Sequence, residues 1–420
     1  MKSGKVSSFS QAVQPSAGAA TALEKRLAVA VLRILGDPRI SVTLWDGTVI
    51  PPGTGSARVG FTVRDRKWFW RLLWRPELSF GDGYSAGRID LDGDLTELVE
   101  RVREVRPPYL SRSPLARLLL GGLTRRRKTA TVRRARDNIH HHYDIGNDFY
   151  RLWLDPEMVY TCAYYPAPAL SLAQAQLAKM EHVCRKLRLR PGQQVVEAGC
   201  GWGALARYMA RHYGVKVKAY NVSQQQLRYA RERARREGLA DRIEYLEDDY
   251  RNITGDYDAF VSIGMLEHVG RGNFRALSRV IDRVLKPEGM GLLHSIGQNE
   301  PEPMTPWIAA RIFPGAYTPT LQEMVGLLEP HDFAVLDVEN LRRHYARTCA
   351  HWLANFEACA EQVRAMFDEP FVRAWRLYLA SSAASFNVGS LQLYQVVFTR
   401  RTNNALPWSR ADLYREAVAQ

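Results

Sequence analysis

The architecture of this chain follows first from the segment Val195-Val196-Glu197-Ala198-Gly199-Cys200-Gly201-Trp202-Gly203. It reads as a short buried strand that enters a glycine turn, and a helical pattern over residues 204–212 begins directly after the turn. Glycines at such a junction let a ligand approach the backbone, and the N-terminus of the helix presents unpaired N–H groups to a carboxylate. The segment therefore predicts a nucleotide-binding turn, for which a dinucleotide remains an alternative ligand.

Strand and helix patterns alternate over residues 137–400, the predicted catalytic domain. After the strand at 195–197, further strands are predicted at 215–220, 243–246, 257–263 and 289–296. This alternation predicts an α/β fold with a doubly wound, mostly parallel sheet, whose ligands lie beyond the carboxyl ends of the strands. Strands at 336–340 and 391–400 would complete the sheet. The helical, aromatic-rich segment 348–386 between them is predicted to be an inserted lid over an apolar pocket.

A small N-terminal α+β domain is predicted over residues 22–104. Its pattern indicates strands at 41–45 and 57–63, a helix at 66–75, and a helix that is capped by Asp94 and runs to Arg103. The glycine- and aspartate-rich segments 81–84 and 87–94 are typical of hairpin turns. Residues 1–21 lack the apolar core of a signal peptide and are predicted to be disordered, and residues 401–420 are predicted to form a C-terminal tail.

The net charge of +14 is concentrated between these two domains. Residues 105–136 form a predicted basic linker that contains no acidic residue, and leucines are interleaved with clusters such as Arg125-Arg126-Arg127-Lys128. This combination suits the surface of an anionic membrane. A solvated linker is the plainer alternative, and nucleic acid is not the expected partner because no nucleic-acid-binding module or stacking motif is found.

Composition argues against several other classes of protein. No apolar run approaches the roughly 20 residues that a transmembrane helix needs. No metal site is predicted, because the five cysteines lack the spacing of metal ligands. Reduced thiols are expected, as in a cytoplasmic protein, at Cys162, Cys184, Cys200, Cys349 and Cys359.

Seven further blocks of the chain lie at 142–150, 154–156, 160–164, 262–270, 294–297, 313–315 and 341–345. Together they resemble the cyclopropane-fatty-acyl-phospholipid synthase family, in that family's order, and the resemblance covers residues 22–400. The glycine turn, with its Glu-x-Gly-x-Gly-x-Gly spacing, is similar to the nucleotide loop of class I S-adenosylmethionine-dependent methyltransferases. The resemblance implies an enzyme that adds the methyl carbon of S-adenosylmethionine across a cis double bond of a phospholipid acyl chain.

The implied reaction makes specific demands on the site. The alkene is the nucleophile, the resulting carbocation must lose a proton from the new methyl group, and water must be kept out. The resemblance implies that a bound bicarbonate ion is the base, held by Cys162, Glu267, His294, Tyr345 and the backbone of Ile296. Because two buried negative charges repel, we expect either a raised pKa of Glu267 or a donor bridge through His294.

Each of these side chains also has a purely structural interpretation. Cys162 could be a small buried residue, Glu267 a helix cap, His294 a satisfied core histidine and Tyr345 a packing residue of the lid. Their joint occurrence in matching blocks favours the functional interpretation.

For S-adenosylmethionine, the glycine turn contributes Glu197, Gly199 and Gly201. Many methyltransferases end the second strand with an acidic residue that binds the ribose, but Tyr220-Asn221 stands there in this chain. In its place the resemblance implies a polar set of Asn221, Ser223 and Gln226. It also implies that the ring of Tyr250 lies near the adenine. The methionine end would be covered by Tyr143, Tyr160 and Thr161. Which glutamine of 224–226 points inward is left open, and Tyr164 is a candidate for a cation–π contact with the sulfonium.

The N-terminal domain resembles the family's helper domain for lipid presentation, which favours a phospholipid in a bilayer as substrate. The resemblance implies a homodimer, and the enzyme is expected to dock on the inner membrane face from the cytoplasm. Three alternatives remain. They are a same-family fatty acyl methyltransferase that leaves a methyl or methylene branch, a non-catalytic lipid-binding relative, and an RNA methyltransferase that charge alone suggests.

Overall fold

A computed structural model of the protein describes residues 18–105 and 145–414, which divide into two units near residue 107. The predicted basic linker beyond Val105, the cofactor candidate Tyr143, and the ends of the chain before residue 18 and after residue 414 lie outside the described residues. In the described part of the chain, no helix is both long and apolar enough to cross a membrane.

Within residues 18–105, four strands form one sheet, namely β1 (Ile40–Thr43), β2 (Val49–Ile50), β3 (Val59–Val63) and β4 (Ile89–Asp92). Their order is β2-β1-β3-β4, with β1 and β3 parallel and the other pairs antiparallel. The helices are α1 (Ala22–Ile34), α2 (Arg66–Trp74), α3 (Pro76–Ser85) and α4 (Leu95–Glu104). Helix α4 begins at the predicted cap, where the Asp94 carboxylate accepts a hydrogen bond from the N–H of Glu97. The predicted α+β fold of this region is confirmed.

The prediction of a hairpin turn at residues 81–84 is wrong, because these residues lie in α3. Their glycines serve close packing instead. A Cβ atom at Gly83 would lie 2.8 Å from Cδ1 of Ile89 and 3.2 Å from the ring of Trp68. A glycine that makes a turn and a glycine that lets a helix pack tightly leave the same local pattern, so only the contact with β4 distinguishes them.

The second unit is built on seven strands within the described residues, namely β5 (Gln194–Ala198), β6 (Lys216–Asn221), β7 (Ile243–Glu247), β8 (Tyr257–Ile263), β9 (Leu285–Gly297), β10 (Phe333–Asn340) and β11 (Gln392–Arg400). They form one sheet in the order β10-β11-β9-β8-β5-β6-β7. The five strands from β9 to β7 are parallel neighbours, and β11 runs antiparallel between β9 and β10. The predicted doubly wound, mostly parallel sheet is confirmed.

Helices cover both faces of this sheet. They are α5 (Asn147–Arg151), α6 (Leu172–Lys186), α7 (Ala204–Tyr213), α8 (Gln224–Arg236), α9 (Leu266–Val269), α10 (Phe274–Val284), α11 (Pro306–Arg311), α12 (Leu321–Gly326), α13 (Arg342–Ala358), α14 (Ala360–Met366), α15 (Glu369–Asn387) and α16 (Ala411–Tyr414). Short 3-10 turns lie at Tyr250–Asn252, Arg271–Asn273 and Glu329–His331.

Two apolar cores lie on opposite faces of the sheet. Val195 of β5 belongs to the core that includes residues of α6, α7 and α8, whereas its neighbour Val196 belongs to the core that includes residues of α10. Successive side chains of a strand point to opposite faces, so a strand with two covered faces is apolar throughout. This explains why nearly all residues of β5 and β8 are buried.

The predicted helical insertion is confirmed as α13, α14 and α15, which lie between β10 and β11. Its aromatic side chains pack on the segment before α6. Phe149 lies edge-on to Trp375, with ring centroids 4.9 Å apart, and Tyr160 packs against Trp352 at 5.1 Å. The insertion and the segment 147–165 therefore share one aromatic cluster.

Candidate active site

The glycine turn between β5 and α7 borders open space. Gly199, Gly201 and Gly203 have φ angles of +86°, +53° and +77°, which glycine adopts without steric cost. A Cβ atom at Gly201 would meet no heavy atom within 4 Å, whereas one at Gly203 would lie 2.4 Å from Oη of Tyr245. A ligand can therefore approach the backbone at Gly201, and Gly203 allows α7 to begin close to β7.

Four of the predicted cofactor residues are joined by hydrogen bonds beside this turn. The Asn221 amide donates to the carbonyl of Gly201 at 3.1 Å and to Oε1 of Gln226 at 2.8 Å. Ser223 donates its N–H to Asn221 Oδ1 and accepts from the N–H of Gln226 as the N-cap of α8. Gln226 is buried and Gln224 is exposed, which answers the question of which glutamine points inward.

Glu197 and Tyr250 lie at the margins of this polar set. Glu197 of β5 is buried, and burial raises its pKa to about 7, although the nearby charges of Lys179 and Arg207 oppose the rise. Tyr250 follows β7 and packs in the same apolar core as Tyr220, the residue before Asn221. Its described contacts do not include the hydrogen-bonded polar set, so its place beside an adenine stays a prediction.

Thr161 and Tyr160 take different positions, although they are adjacent in sequence. A Cβ atom at Gly264, which follows β8, would lie 3.0 Å from Cγ2 of Thr161, so Thr161 borders the carboxyl edge of the sheet. The Tyr160 hydroxyl is hydrogen-bonded to that of Tyr378 at 2.7 Å, inside the aromatic cluster. That cluster reaches the glycine turn, since Tyr150 packs against both Tyr160 and Trp202.

The predicted catalytic residue Glu267 lies in α9, directly after β8. Its Oε1 accepts a hydrogen bond of 2.7 Å from the N–H of Ile296, near the end of the adjacent strand β9. Its Oε2 is buried without a hydrogen-bond partner among the described residues. Burial raises the pKa of Glu267 to about 7, as expected, even though the Ile296 hydrogen bond opposes the rise. The Ile296 N–H, predicted to hold an anion, is engaged by Glu267 instead.

His294 lies two residues before Ile296 on β9, and its carbonyl accepts from the N–H of Gly264. Its Nδ1 faces Nε2 of Gln395 on β11 at 3.1 Å. With the amide nitrogen facing Nδ1, Nδ1 is the acceptor and the proton is on Nε2. Nε2 is buried and has no partner in the described part of the chain. Burial, with the nearby Lys179 and Lys186, holds the pKa of His294 well below its usual range, so the ring is neutral.

Cys162 and Tyr345 meet beside Ile296 in a small apolar cluster that also contains Leu341 and Leu393. Tyr345 stacks on Phe386 of the lid, with centroids 4.5 Å apart. Burial raises the pKa of both the Cys162 thiol and the Tyr345 hydroxyl well above their usual values, so both stay protonated and can act only as neutral groups. The five predicted catalytic residues thus lie together around the ends of β8 and β9.

One charged residue of this region was missed by the sequence analysis. Lys179 of α6 is only 2% exposed, and its Nζ donates to Oγ1 of Thr161 at 3.0 Å. It forms no ion pair within the described residues. Burial lowers its pKa to about 8, and the charges of Asp155 and Glu197 oppose the fall. The available signal was its spacing, because it shares the buried stripe of α6 with Leu172, Ala175, Gln176, Met180 and Val183.

Tyr164 is unsuited to the cation–π contact predicted for it. Its ring stacks on His182 at 4.2 Å and on His344 at 4.9 Å, and these imidazoles occupy its π faces. Tyr345 packs against the same small apolar cluster as Tyr164, and its ring centroid lies 5.9 Å from that of Trp352.

The fold and the glycine turn define a class I methyltransferase-type domain, and comparisons with known proteins narrow this class. A family model described as mycolic acid cyclopropane synthetase matches residues 130–396, and a model of a domain of unknown function matches residues 29–113. The cyclopropane-fatty-acyl-phospholipid synthase of Escherichia coli K12 is 36% identical over 85% of this chain and 92% of its own length. A probable fatty acid methyltransferase of Pseudomonas putida is 33% identical over 90% of this chain and 96% of its own.

Solved structures of cyclopropane synthases are also similar to this chain. The cyclopropane synthase MmaA2 from Mycobacterium tuberculosis superimposes with a TM-score of 0.61 at 28% identity, over 63% of this chain and 98% of that one. Mycolic acid cyclopropane synthase CmaA1 complexed with SAH and CTAB gives a TM-score of 0.60 at 29% identity, with the same coverage. The chain belongs to the cyclopropane synthase family, and the predictions of this family and of an enzyme are confirmed.

Proposed function

We propose that this protein forms cyclopropane rings in the acyl chains of membrane phospholipids, with S-adenosylmethionine as carbon donor and a bound bicarbonate as base. S-adenosylmethionine as the carbon donor is also supported by the similarity to CmaA1, whose solved structure is a complex with SAH. The observation that carries the proposal is the pair of buried polar atoms without described partners, Glu267 Oε2 and His294 Nε2, at the carboxyl edge of the sheet. Buried polar atoms of this kind are expensive unless a ligand pairs with them.

The residues of the glycine turn fit S-adenosylmethionine. Gly201 borders open space, and Asn221, Ser223 and Gln226 are already oriented by hydrogen bonds to one another and to the turn. When bound, S-adenosylmethionine would supply the electrophilic methyl carbon that the double bond attacks. The helix N-terminus of α7 favours the carboxylate of its methionine end.

The five predicted catalytic residues, which are called the catalytic group below, are suited to bind an anion that retains a proton. They are Cys162, Glu267, His294, Ile296 and Tyr345. Burial raises the pKa of Glu267 to about 7, so near neutral pH a part of the protein carries a proton on Oε2 while Oε1 accepts from Ile296. In this protonated form Glu267 donates a hydrogen bond to the anion and does not repel it. His294 Nε2–H provides a second neutral donor, and its orientation is fixed by Gln395. Bicarbonate bound there supplies the base that accepts the proton from the new methyl group as the ring closes.

Lys179 is proposed to supply the charge that balances the bound anion. A buried ammonium group without an ion-pair partner is costly, and an anion nearby removes most of that cost. Its hydrogen bond to Thr161 also ties the segment 160–162 to α6, beside Cys162. Lys179 thereby contributes both to the cofactor residues, through Thr161, and to the catalytic residues, through its charge.

The aromatic cluster is proposed to protect the reaction from water and to stabilise positive charge. Trp352 of α13 packs against Tyr160 on one side and against Tyr345 of the same helix on the other, with ring centroids 5.1 Å and 5.9 Å apart. Their faces offer cation–π stabilisation of roughly 2 kcal/mol to a desolvated carbocation. Cys162 and Tyr345 remain protonated, so neither presents an anionic nucleophile to that carbocation.

A phospholipid bilayer as the source of the substrate is supported by the named activity of the Escherichia coli relative and by the concentrated basic charge of the chain. We therefore propose peripheral association with the inner membrane face, from the cytoplasm. We also propose that the enzyme is a homodimer and that nucleic acid is not its partner.

A fatty acyl methyltransferase that leaves a methyl or methylene branch is the second candidate, favoured by the similarity to the Pseudomonas putida relative. The two reactions share the methyl transfer and differ in which proton is lost from the carbocation. The grouping of Glu267, His294 and Tyr345 around the ends of β8 and β9 favours removal from the new methyl group, which closes the ring.

The test is mass spectrometry and NMR of lipids from a bacterium without cyclopropane fatty acids that expresses the chain, beside a Glu267→Ala variant. A gain of one CH2 per acyl chain, resistant to hydrogenation and with ring protons in the NMR spectrum, is expected only for the wild type. A branched or methylene product would instead establish the second candidate. Unchanged lipids, in cells that contain folded protein able to bind S-adenosylmethionine, would refute both.

A further inference from the structure

An exposed row of aromatic and basic side chains follows helix α2 of the first unit. Lys67, Trp70, Arg71 and Trp74 have the spacing of three and four that places residues on one helical face, and all four are exposed. Trp74 is 82% exposed and Trp70 is 44% exposed. These four residues are called the α2 stripe below. Two exposed indoles on one face are uncommon, because globular proteins keep most of their tryptophan surface out of water.

The fold of this unit does not need the α2 stripe. Helix α2 is anchored by its opposite face, where Phe69 is buried and lies edge-on to Trp45 at 5.7 Å. Its N-terminus is capped by Asp65, which accepts from the N–H of Trp68 at 3.0 Å. The exposed tryptophans therefore contribute contact area that the isolated chain leaves unused.

The charge around the α2 stripe is of one sign. Between Asp65 and Glu77 the sequence contains four basic residues and no acidic one. Arg66 is paired with Glu24 at 2.9 Å, but Lys67, Arg71 and Arg75 form no ion pair within residues 18–105. The Arg71 guanidinium lies 4.5 Å from the ring of Trp68, so the basic groups are interleaved with indoles.

We propose that the α2 stripe docks the enzyme on the anionic surface of a phospholipid bilayer. The indoles of Trp70 and Trp74 enter the headgroup region, and Lys67 and Arg71 contact lipid phosphates. Tryptophan is enriched at membrane–water interfaces because its ring is apolar and its N–H is polar, and basic residues are attracted to anionic lipids. This inference rests on the proposed function, in which the acyl chain to be modified lies in a bilayer.

A second copy of the chain fits the α2 stripe less well. A two-fold contact through this face would bring Lys67, Arg71 and Arg75 of both copies together without acidic partners. Anionic lipid offers the complementary charge and a depth suited to indole rings. The inference also gives a role to the region that matches a domain of unknown function.

The experiment measures binding of the full chain to sedimented vesicles, without S-adenosylmethionine, so that it does not depend on turnover. Vesicles of phosphatidylcholine alone are compared with vesicles that contain phosphatidylglycerol. The variants are Trp70→Ala/Trp74→Ala and Lys67→Gln/Arg71→Gln. The matched controls in the second unit are Trp408→Ala, a fully exposed tryptophan, and Arg235→Gln/Arg236→Gln, two exposed arginines on α8.

We expect the tryptophan pair to weaken binding to anionic vesicles at least tenfold. The basic pair should weaken it roughly thirtyfold at low salt and less at high salt. The controls should stay within about twofold of the wild type, and no variant should change the affinity for S-adenosylmethionine. Stripe variants that bind vesicles as the controls do would overturn the inference, even if the enzyme makes cyclopropane rings. Conversion of a dimer to a monomer by Trp70→Ala/Trp74→Ala, without lipid, would show a second copy to be the occupant and would overturn it as well.

Discussion

Two groups of polar residues lie along the carboxyl edge of the same sheet, and they differ in how completely they are satisfied. The cofactor group (Asn221, Ser223 and Gln226) is closed by hydrogen bonds among its members and to Gly201. The catalytic group is not. Glu267 Oε2 and His294 Nε2 have no described partner, and the nearby Lys179 ammonium makes one described hydrogen bond.

The cofactor group is therefore a preorganised binding surface, whereas the catalytic group has buried polar atoms that only a bound ligand can pair. An unsatisfied buried polar atom costs roughly 1–3 kcal/mol, which a protein recovers when a ligand fills the site. We therefore infer that changes in the cofactor group alter affinity for the methyl donor, whereas changes in the catalytic group alter the reaction itself. Four predictions test this division.

The largest effect is expected for Glu267→Ala, which should lower turnover about 1,000-fold, as loss of a transition-state contact does. The affinity for S-adenosylmethionine, measured by calorimetry, should stay within about twofold of the wild type. The isosteric Glu267→Gln keeps the Ile296 contact and a donor, so it should lose less activity. Wild-type turnover should fall as pH rises through about 7, because ionised Glu267 repels the anion, and the Gln variant should lack this fall. Equal loss of cofactor affinity and turnover in the Ala variant would contradict the division.

The next effect is expected for Lys179→Met, which keeps the length of the side chain and removes its charge. We predict a loss of about a hundredfold in kcat/KM that appears mainly as a raised KM for bicarbonate. Saturating bicarbonate should restore part of the rate, which a purely structural defect would not allow. Lys216→Met, at an exposed lysine of β6, is the matched control and should be neutral. A lowered kcat with an unchanged KM for bicarbonate would argue against the counter-charge.

A smaller effect is expected on the other side of the division. Asn221→Ala removes two hydrogen bonds of the cofactor group and should weaken the binding of S-adenosylmethionine about tenfold, with kcat nearly unchanged at saturation. Gln224→Ala, at the exposed neighbour on α8, should have no effect. If Asn221→Ala lowers kcat at saturating cofactor as strongly as Glu267→Ala does, the two groups act as one.

The last prediction concerns stability. Glu267 has a pKa of about 7 in the folded state and 4.5 as its ordinary value, so the folded state binds more protons between these values, and stability falls as pH rises from about 4.5 to about 7. Glu267→Gln should remove this loss and exceed the wild type by about 3 kcal/mol above pH 7 in urea unfolding. Glu244→Gln, at an exposed position of β7, should retain the wild-type pH dependence. A Gln variant less stable than the wild type at pH 8 would refute the buried-carboxyl explanation.

Within the cofactor half of the site, the glycine turn was predictable from sequence, because a turn is a local feature that keeps its spacing in one dimension. Asn221, Ser223 and Gln226 were assigned through the family resemblance, and the N-cap at Ser223 was not predicted. The choice of Gln226 over Gln224 was not predictable, because it depends on how far α8 has turned when it meets β6.

The catalytic half was predictable only through family resemblance, and its details were not. Glu267 accepts a hydrogen bond from the N–H of Ile296, 29 residues away. Lys179 of α6 donates a hydrogen bond to Thr161 in the segment before that helix. Tyr164 carried a plausible aromatic signal, yet its ring is stacked on two histidines. Such contacts between distant segments leave no trace in the spacing of either segment.

The sequence by itself determined the α/β architecture, the glycine turn and the positions of the strands along the chain, because apolar periodicity and glycine conformation act over a few residues. Only the tertiary structure decided which polar atoms are left unsatisfied at the sheet edge, that Lys179 is buried beside them, and that the tryptophans of α2 face outward. Burial is a property of what surrounds a residue, and it shifts the pKa of Glu267 and Lys179 through desolvation that no local pattern encodes.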